Sequence, residues 1–177
     1  MTVLVVMGVS GCGKSTVADL LCARLGWPFM EGDSLHPESN IAKMESGQPL
    51  TDEDRWPWLE KVADWIEGQH AAGQDGIITC SALKRSYRDV LNRRGEGVVF
   101  VYLAGERRTL EHRMQARVGH FMPPGMLASQ LETLEEPQPD EPSIRVPIEQ
   151  SPTDIAEQVV AGLEPQPGNP TTGSASQ

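Results

Sequence analysis

Val3-Leu-Val-Val-Met-Gly8-Val-Ser-Gly-Cys-Gly13-Lys-Ser15 is the stretch that decides the fold of this chain. Val3–Met7 is a short, β-branched-rich apolar run ending at a glycine, the pattern of a strand buried on both faces of a parallel sheet. Lys14–Leu25 follows with Val17, Leu20, Leu21 and Leu25 at helical spacing, and Gly26 stops the helix. Between them, Gly8 to Ser15 fits GxxxxGK(S/T). Gly8, Val9, Ser10, Gly11, Cys12 and Gly13 form a loop whose backbone N–H groups, with the helix N-terminus, suit phosphates. Lys14 would reach the β- and γ-phosphates, the Ser15 hydroxyl would ligate Mg²⁺, and Thr16 follows close behind. The stretch alone thus predicts a nucleoside triphosphate site, with Mg²⁺ on the Ser15 hydroxyl.

Outward from it, strands are expected at Pro28–Met30, Gly76–Cys80, Val98–Leu103 and Ile144–Ile148. Helices are expected at Arg107–Arg117, Met126–Leu134 and Thr153–Leu163, and one beginning near Pro57 with Asp54 as its cap. Strands alternating with helices imply an α/β domain with a parallel sheet covered on both faces. Residues 1–163 read as one domain, and 164–177 as a disordered Pro/Gly/Ser-rich tail.

The chain has 177 residues and a formal net charge of −10. That length fits one domain, and the acidic balance argues against nucleic acid as a partner. No apolar run approaches the length of a spanning helix, so no membrane association is expected. Cys12, Cys22 and Cys80 form no CxxC pair, and a reducing cytoplasm is the expected setting. The absence of NKxD argues against a GTPase. A small phosphotransferase acting on a small acceptor remains.

Polar residues at strand ends carry the acceptor side. Asp33, just after the second strand, is the candidate general base or hydroxyl orienter, and Glu31 would hold a metal-bound water. The competing reading is a turn with solvated charges. Lys84, Arg85 and Arg88, after Cys80-Ser-Ala-Leu, would bind an anionic acceptor, or they form a solvated helix face with Ser81 as cap. Arg55 would take a substrate carboxylate bidentately, or pair with Asp52 or Asp54. Arg113 and Arg117 share a helical face, and Gly119-His120-Phe-Met-Pro-Pro124 breaks the helix. This suits a lid over about residues 107–135, with arginines neutralising the transferring phosphoryl group or merely lying on the surface. His36 and His120 read as hydrogen-bonding groups rather than metal ligands. His70 and His112 read as plain helix-surface residues.

Taken together, these stretches resemble the gluconokinase family, of the shikimate-kinase-like branch of P-loop kinases. The matching residues include Met7–Thr16, Glu31-Gly-Asp-Ser-Leu-His-Pro37, Asn40-Ile-Ala-Lys-Met44, Gly47-Gln-Pro-Leu-Thr-Asp52, Asp54-Arg-Trp-Pro-Trp-Leu59, Cys80-Ser-Ala-Leu-Lys84, Gly119-His-Phe-Met122 and Ser129-Gln-Leu-Glu132. The P-loop is shared widely, whereas the later motifs in this order are far more specific. The resemblance implies a P-loop NTPase three-layer sandwich, with a five-stranded parallel sheet, helices on both faces and a helical lid. It implies phosphoryl transfer from ATP to an alcohol group of D-gluconate, giving 6-phospho-D-gluconate and ADP, in carbohydrate metabolism toward the pentose phosphate route. Catalysis would fall to Lys14, Asp33 and Arg117, and substrate contacts to Asp33, His36, Arg55, Lys84, Arg88 and His120. Ser15 and Glu31 would serve the metal. Shikimate or another small hydroxy acid is the alternative acceptor, a non-catalytic nucleotide switch is a third reading, and a homodimer is left open.

Overall fold

The computed structural model describes residues 1–116 and 124–164. Arg117, His120 and the expected tail beyond Glu164 lie outside the described residues. Five parallel strands form one sheet: β1 (Val3–Met7), β2 (Phe29–Glu31), β3 (Gly76–Thr79), β4 (Val98–Ala104) and β5 (Ser143–Pro147), in the order β2-β3-β1-β4-β5. The central place of β1 follows from its composition: all five residues are apolar and 0% exposed.

Among the described residues, seven α-helices flank the strands. They are α1 (Lys14–Leu25), α2 (Glu38–Glu45), α3 (Asp52–Ala71), α4 (Arg85–Leu91), α5 (Arg107–Ala116), α6 (Pro124–Thr133) and α7 (Pro152–Leu163), with a 3-10 turn at Gly32–Leu35. From β1 the chain crosses over α1 toward β2, then returns over α3 and α4 to β3 and β4. Right-handed crossovers running in opposite directions place α1 on one face and the α3–α4 pair on the other, and α7 packs beside α1. The reversal occurs at β1, so the crevice opens at its carboxyl end. Register aligns that edge: Thr79 pairs with both Val6 and Glu31, so the phosphate loop, β2 and β3 end side by side.

Two element boundaries differ in an instructive way from the sequence reading. The long helix begins at Asp52 rather than near Pro57, because Thr51 and Asp54 form a reciprocal capping box. Pro57 then sits in the second turn and removes one helical hydrogen bond. Burial of Trp58 and Leu59, 2% and 0% exposed, offsets that with roughly 1.5–3 kcal/mol each. The helix after β3 is capped by Lys84, not Ser81, since Ala82 takes a left-handed conformation (φ 46°) that interposes a turn. Among the described residues, no helix is long and apolar enough to cross a membrane.

Candidate active site

The phosphate loop spans β1 to α1 and needs its glycines. Gly8 and Gly13 have φ of 143° and 94°, and a Cβ on Gly8 would lie 2.8 Å from Cys12 Sγ. Val9 and Cys12 are 3% and 1% exposed, so their side chains face the core and only their backbone serves the loop. Lys14 Nζ donates to the carbonyls of Gly8 (3.0 Å) and Val9 (3.2 Å). Ser10 N–H donates to Gln130 Oε1 of α6 at 2.7 Å, which ties α6 to the loop.

Next to the loop, Glu31 receives hydrogen bonds on both oxygens. Ser15 Oγ donates at 2.9 Å, and the buried Thr79 hydroxyl donates from the other side. Thr79 Oγ1 in turn accepts Gly32 N–H at 3.1 Å. Gly32 has no room for a side chain, because a Cβ there would sit 1.8 Å from the Thr79 carbonyl oxygen. This tight crossing sets Glu31 and Asp33 on either side of Gly32. Ser15 and Glu31 together present hard oxygen donors beside the phosphate loop, the chemistry Mg²⁺ takes. Among the described residues, no group of three or more His, Cys, Asp or Glu makes a separate metal cage.

Two clefts flank the loop. One of about 300 Å³ is lined by Gly11, Gly13, Thr16, Arg113, Gln150 and Pro152, among others. Arg113 Nη2 donates to the Ile148 carbonyl at 2.6 Å. His112 also lines this cleft, which its place on a polar helix did not suggest. The second cleft brings together Ser10, Lys14, Asp33, His36, Arg55 and Ser81, with Trp58, Ser129 and Gln130 in its wall. Asp33 is open, with 68% of its side chain exposed, whereas the His36 side chain is 4% exposed. Burial pushes the His36 pKa down; Asp33 opposes this and Arg55 adds to it.

Arg55 reaches this cleft on a fixed support. Tyr87 donates its hydroxyl proton to Asp52 and accepts from Arg55 Nη1 at 2.9 Å. Burial, then the Asp52 hydrogen bond, pushes the Tyr87 pKa up to about 12. Asp52 is held below the usual carboxylate range by its hydrogen bonds from Tyr87 and Lys84. Lys84 donates to both Asp52 oxygens at 3.2 Å and is not in the cleft wall, so it meets the site through Asp52.

Arg88 must be corrected as a substrate contact. Its side chain is 1% exposed and paired with Glu141 at 2.6 Å, and Nη1 donates to the Ala82 carbonyl at 2.9 Å. Buried and fully engaged, it supports the left-handed Ala82 turn from behind. Thr79 was missed by the sequence reading, while Asn40 and Gln130 stood in stretches carrying the resemblance but were given no role at the site. A hydroxyl ending the apolar Gly-Ile-Ile-Thr79 run was the one available signal for Thr79.

A family profile described as "AAA domain" matches residues 3–137. A gluconokinase of Gluconobacter oxydans (strain 621H) is 53% identical over 157 residues, covering 89% of this chain and 88% of that protein. The crystal structure of a gluconokinase from Sinorhizobium meliloti 1021 is 46% identical with a TM-score of 0.83, covering 91% of this chain and 90% of that one. The unliganded structure of a sugar kinase from Janibacter sp. HTCC2649 is 47% identical with a TM-score of 0.86, covering 91% of this chain and 93% of that one. With the phosphate loop, the five-stranded parallel sheet and relatives matched over most of their own length, the chain belongs to the gluconokinase family of P-loop kinases.

Proposed function

We propose that this protein moves the γ-phosphoryl group of ATP to the 6-hydroxyl of D-gluconate, giving 6-phospho-D-gluconate and ADP. The observation that carries this is the second cleft, where the phosphate-loop Lys14, the exposed Asp33 carboxylate and the anchored Arg55 guanidinium converge. Gluconate is a small polyhydroxy anion, and the cleft offers one cation on a rigid support plus several hydrogen-bonding groups. Arg55 takes the gluconate carboxylate, its fork held by Tyr87. Asp33 accepts the proton of the attacking hydroxyl, or aligns that hydroxyl with phosphorus. Lys14 leaves its own loop carbonyls for the β- and γ-phosphate oxygens as ATP enters. The neighbouring cleft, with Gln150 and Pro152, takes the adenosine end.

Ser15 and Glu31 would hold Mg²⁺, which would supply charge neutralisation on the phosphates when bound. Free thiols at Cys12, Cys22 and Cys80 suit a reducing compartment, and we place the enzyme in the cytoplasm.

An acceptor panel tests the assignment. Purified protein with Mg-ATP is offered gluconate, shikimate and other small hydroxy acids, and acceptor-dependent ADP release is followed. Gluconate is expected to give the highest kcat/KM, with the product oxidised by 6-phosphogluconate dehydrogenase. Faster turnover of another acid, or ATP binding with no acceptor-dependent ADP release, contradicts it.

A further inference from the structure

A hydrogen-bond chain between α2 and α3 has a direction that the chemistry of its members fixes. Asn40 and His36 are buried, 3% and 8% exposed. Asn40 Nδ2 lies 2.8 Å from the main-chain carbonyl of Asp54 and 3.2 Å from Nδ1 of His36. A carbonyl only accepts, so the Asn40 atom facing it is the amide nitrogen, and the second hydrogen of that nitrogen points at His36. His36 Nδ1 is therefore the acceptor, and the neutral ring carries its proton on Nε2.

The ring has little freedom to do otherwise. It stacks on Trp58 with centroids 4.0 Å apart and planes 18° apart. Trp58 is itself pinned by Nε1–H donating to the Gly32 carbonyl at 2.8 Å. The stack fixes the plane of the imidazole, and Asn40 fixes which edge faces inward. The outer edge places Nε2 4.0 Å from Asp33 Oδ1, inside the acceptor cleft. Protonation would set a second N–H against the Asn40 amide. Burial also disfavours the cation; the Asp33 carboxylate opposes this and the Arg55 guanidinium adds to it, and the balance is toward the neutral ring.

We propose that Asn40 is a positioning residue that locks His36 as the neutral Nε2–H tautomer, so that His36 donates a hydrogen bond to the acceptor hydroxyl aligned by Asp33. The donor role rests on the functional reading above, whereas the lock does not. A hydroxyl oxygen about 2.8 Å from both His36 Nε2 and Asp33 fits between them with an angle of about 90° at oxygen. Such a hydroxyl gives its proton to Asp33, accepts from Nε2–H with one lone pair, and keeps the other for phosphorus. Asn40 thereby decides whether the site holds a donor or an acceptor at that position.

Nitrogen-15 NMR of the labelled wild-type protein reads the lock directly. His36 is assigned through its ring contacts with Trp58, and long-range proton–nitrogen correlations report each ring nitrogen. The expected pattern at pH 7 is an unprotonated Nδ1 and a protonated Nε2. A protonated Nδ1, or an averaged ring, overturns the lock. In Asn40→Leu the pattern is expected to move toward an averaged tautomer, and an unchanged one contradicts Asn40 as its cause.

Kinetics tests the donor. His36→Leu is expected to lower kcat/KM for gluconate by about 10- to 100-fold while the KM for ATP stays within about twofold. His36→Gln keeps a side-chain N–H near the Nε2 position and is expected to recover most of the loss. Equal rates for the Gln and Leu variants, or a wild-type rate for Leu, overturn the donor role. Wild-type protein inactive on gluconate refutes the functional reading and the donor role together, and the NMR result still decides the lock.

Discussion

Asp33 and Gly32 show how much of the site rests on single residues. Among the described residues, Asp33 is the one carboxylate that lines the second cleft, with 68% of its side chain exposed. Asp33→Asn keeps the shape and removes the proton acceptor, so kcat is expected to fall by about 10²–10⁴-fold with the KM for ATP little changed. Steady-state kinetics checks this, and an Asn variant with wild-type kcat removes Asp33 from the chemistry. Gly32→Ala puts a Cβ 1.8 Å from the Thr79 carbonyl, so β2 must draw away from β3. A loss of several degrees in Tm is expected from such overpacking, about 1–3 kcal/mol, with activity lost further because Glu31 and Asp33 move too. Lys14 and Ser15 stood out through the phosphate-loop pattern and Asp33 through its place just after a strand, whereas Arg55, in the first turn of α3, also lies 3.9 Å from Asp52 Oδ1, the ion pair its sequence allowed. Arg88 was misread because its partner Glu141 lies 53 residues away, and burial of a guanidinium leaves no local mark in sequence. Asn40 stood in a stretch that carried the resemblance but was given no role, because its meaning depends on the Asp54 carbonyl and the His36 ring meeting in space.

At the scale of elements, the entry to α3 and the loop before α4 do the positioning. Asp54 closes the capping box with Thr51 and pairs with Lys43 of α2 at 2.6 Å. The Lys43 hydrogen bond first, then that of the Thr51 backbone N–H, holds its pKa down to about 2. An unfolded aspartate titrates near 3.9, so the folded state binds fewer protons between those values. The stabilisation is present above about pH 4 and is lost as pH falls toward about 2. The difference in urea midpoint between wild type and Asp54→Asn is therefore expected to shrink over that window. A constant difference down to pH 2 contradicts the pairing. Behind the left-handed turn at Ala82, Arg88 and Glu141 form a buried pair, 1% and 6% exposed at the side chain. Burial raises the Glu141 carboxyl, and the Arg88 hydrogen bond, the Gln138 N–H and the Arg88 charge outweigh it to leave the pKa lowered. Glu141→Gln strands the guanidinium, with an expected cost of about 3–5 kcal/mol in denaturant unfolding. A change below about 0.5 kcal/mol contradicts a buried pair. The start of α3 was misplaced because Pro57 invites a helix start, and the reciprocal cap between Thr51 and Asp54, six and three residues earlier, outweighs that preference.

For the whole molecule, the alternation of apolar runs and amphipathic helices made the parallel sheet readable, and all five strands lie where the runs placed them to within a residue or so. The charge distribution was less readable. Lys84 to Arg117 holds nine Lys/Arg against four Asp/Glu in a chain of net charge −10, which suggests a basic segment gathered for anionic ligands. Instead, half of its eight described cations are spent on acids elsewhere. Lys84 meets Asp52, Arg85 meets Asp140, Arg88 meets Glu141, and Arg93 meets Glu60, Asp64 and Glu67. Those ion pairs bind α4 and its flanks to the rest of the fold. Lys14, Arg55 and Arg113 are the described cations that face the two clefts. A net negative surface with a few aimed cations is selective toward small anions that fit between them. The most direct test is a crystal structure with Mg²⁺, a non-hydrolysable ATP analogue and D-gluconate. It is expected to show the γ-phosphate on Lys14, the gluconate carboxylate on Arg55, and the 6-hydroxyl within about 3 Å of Asp33, between that carboxylate and the γ-phosphate. Gluconate bound away from Asp33 and Arg55, or a 6-hydroxyl turned from the γ-phosphate, contradicts the account.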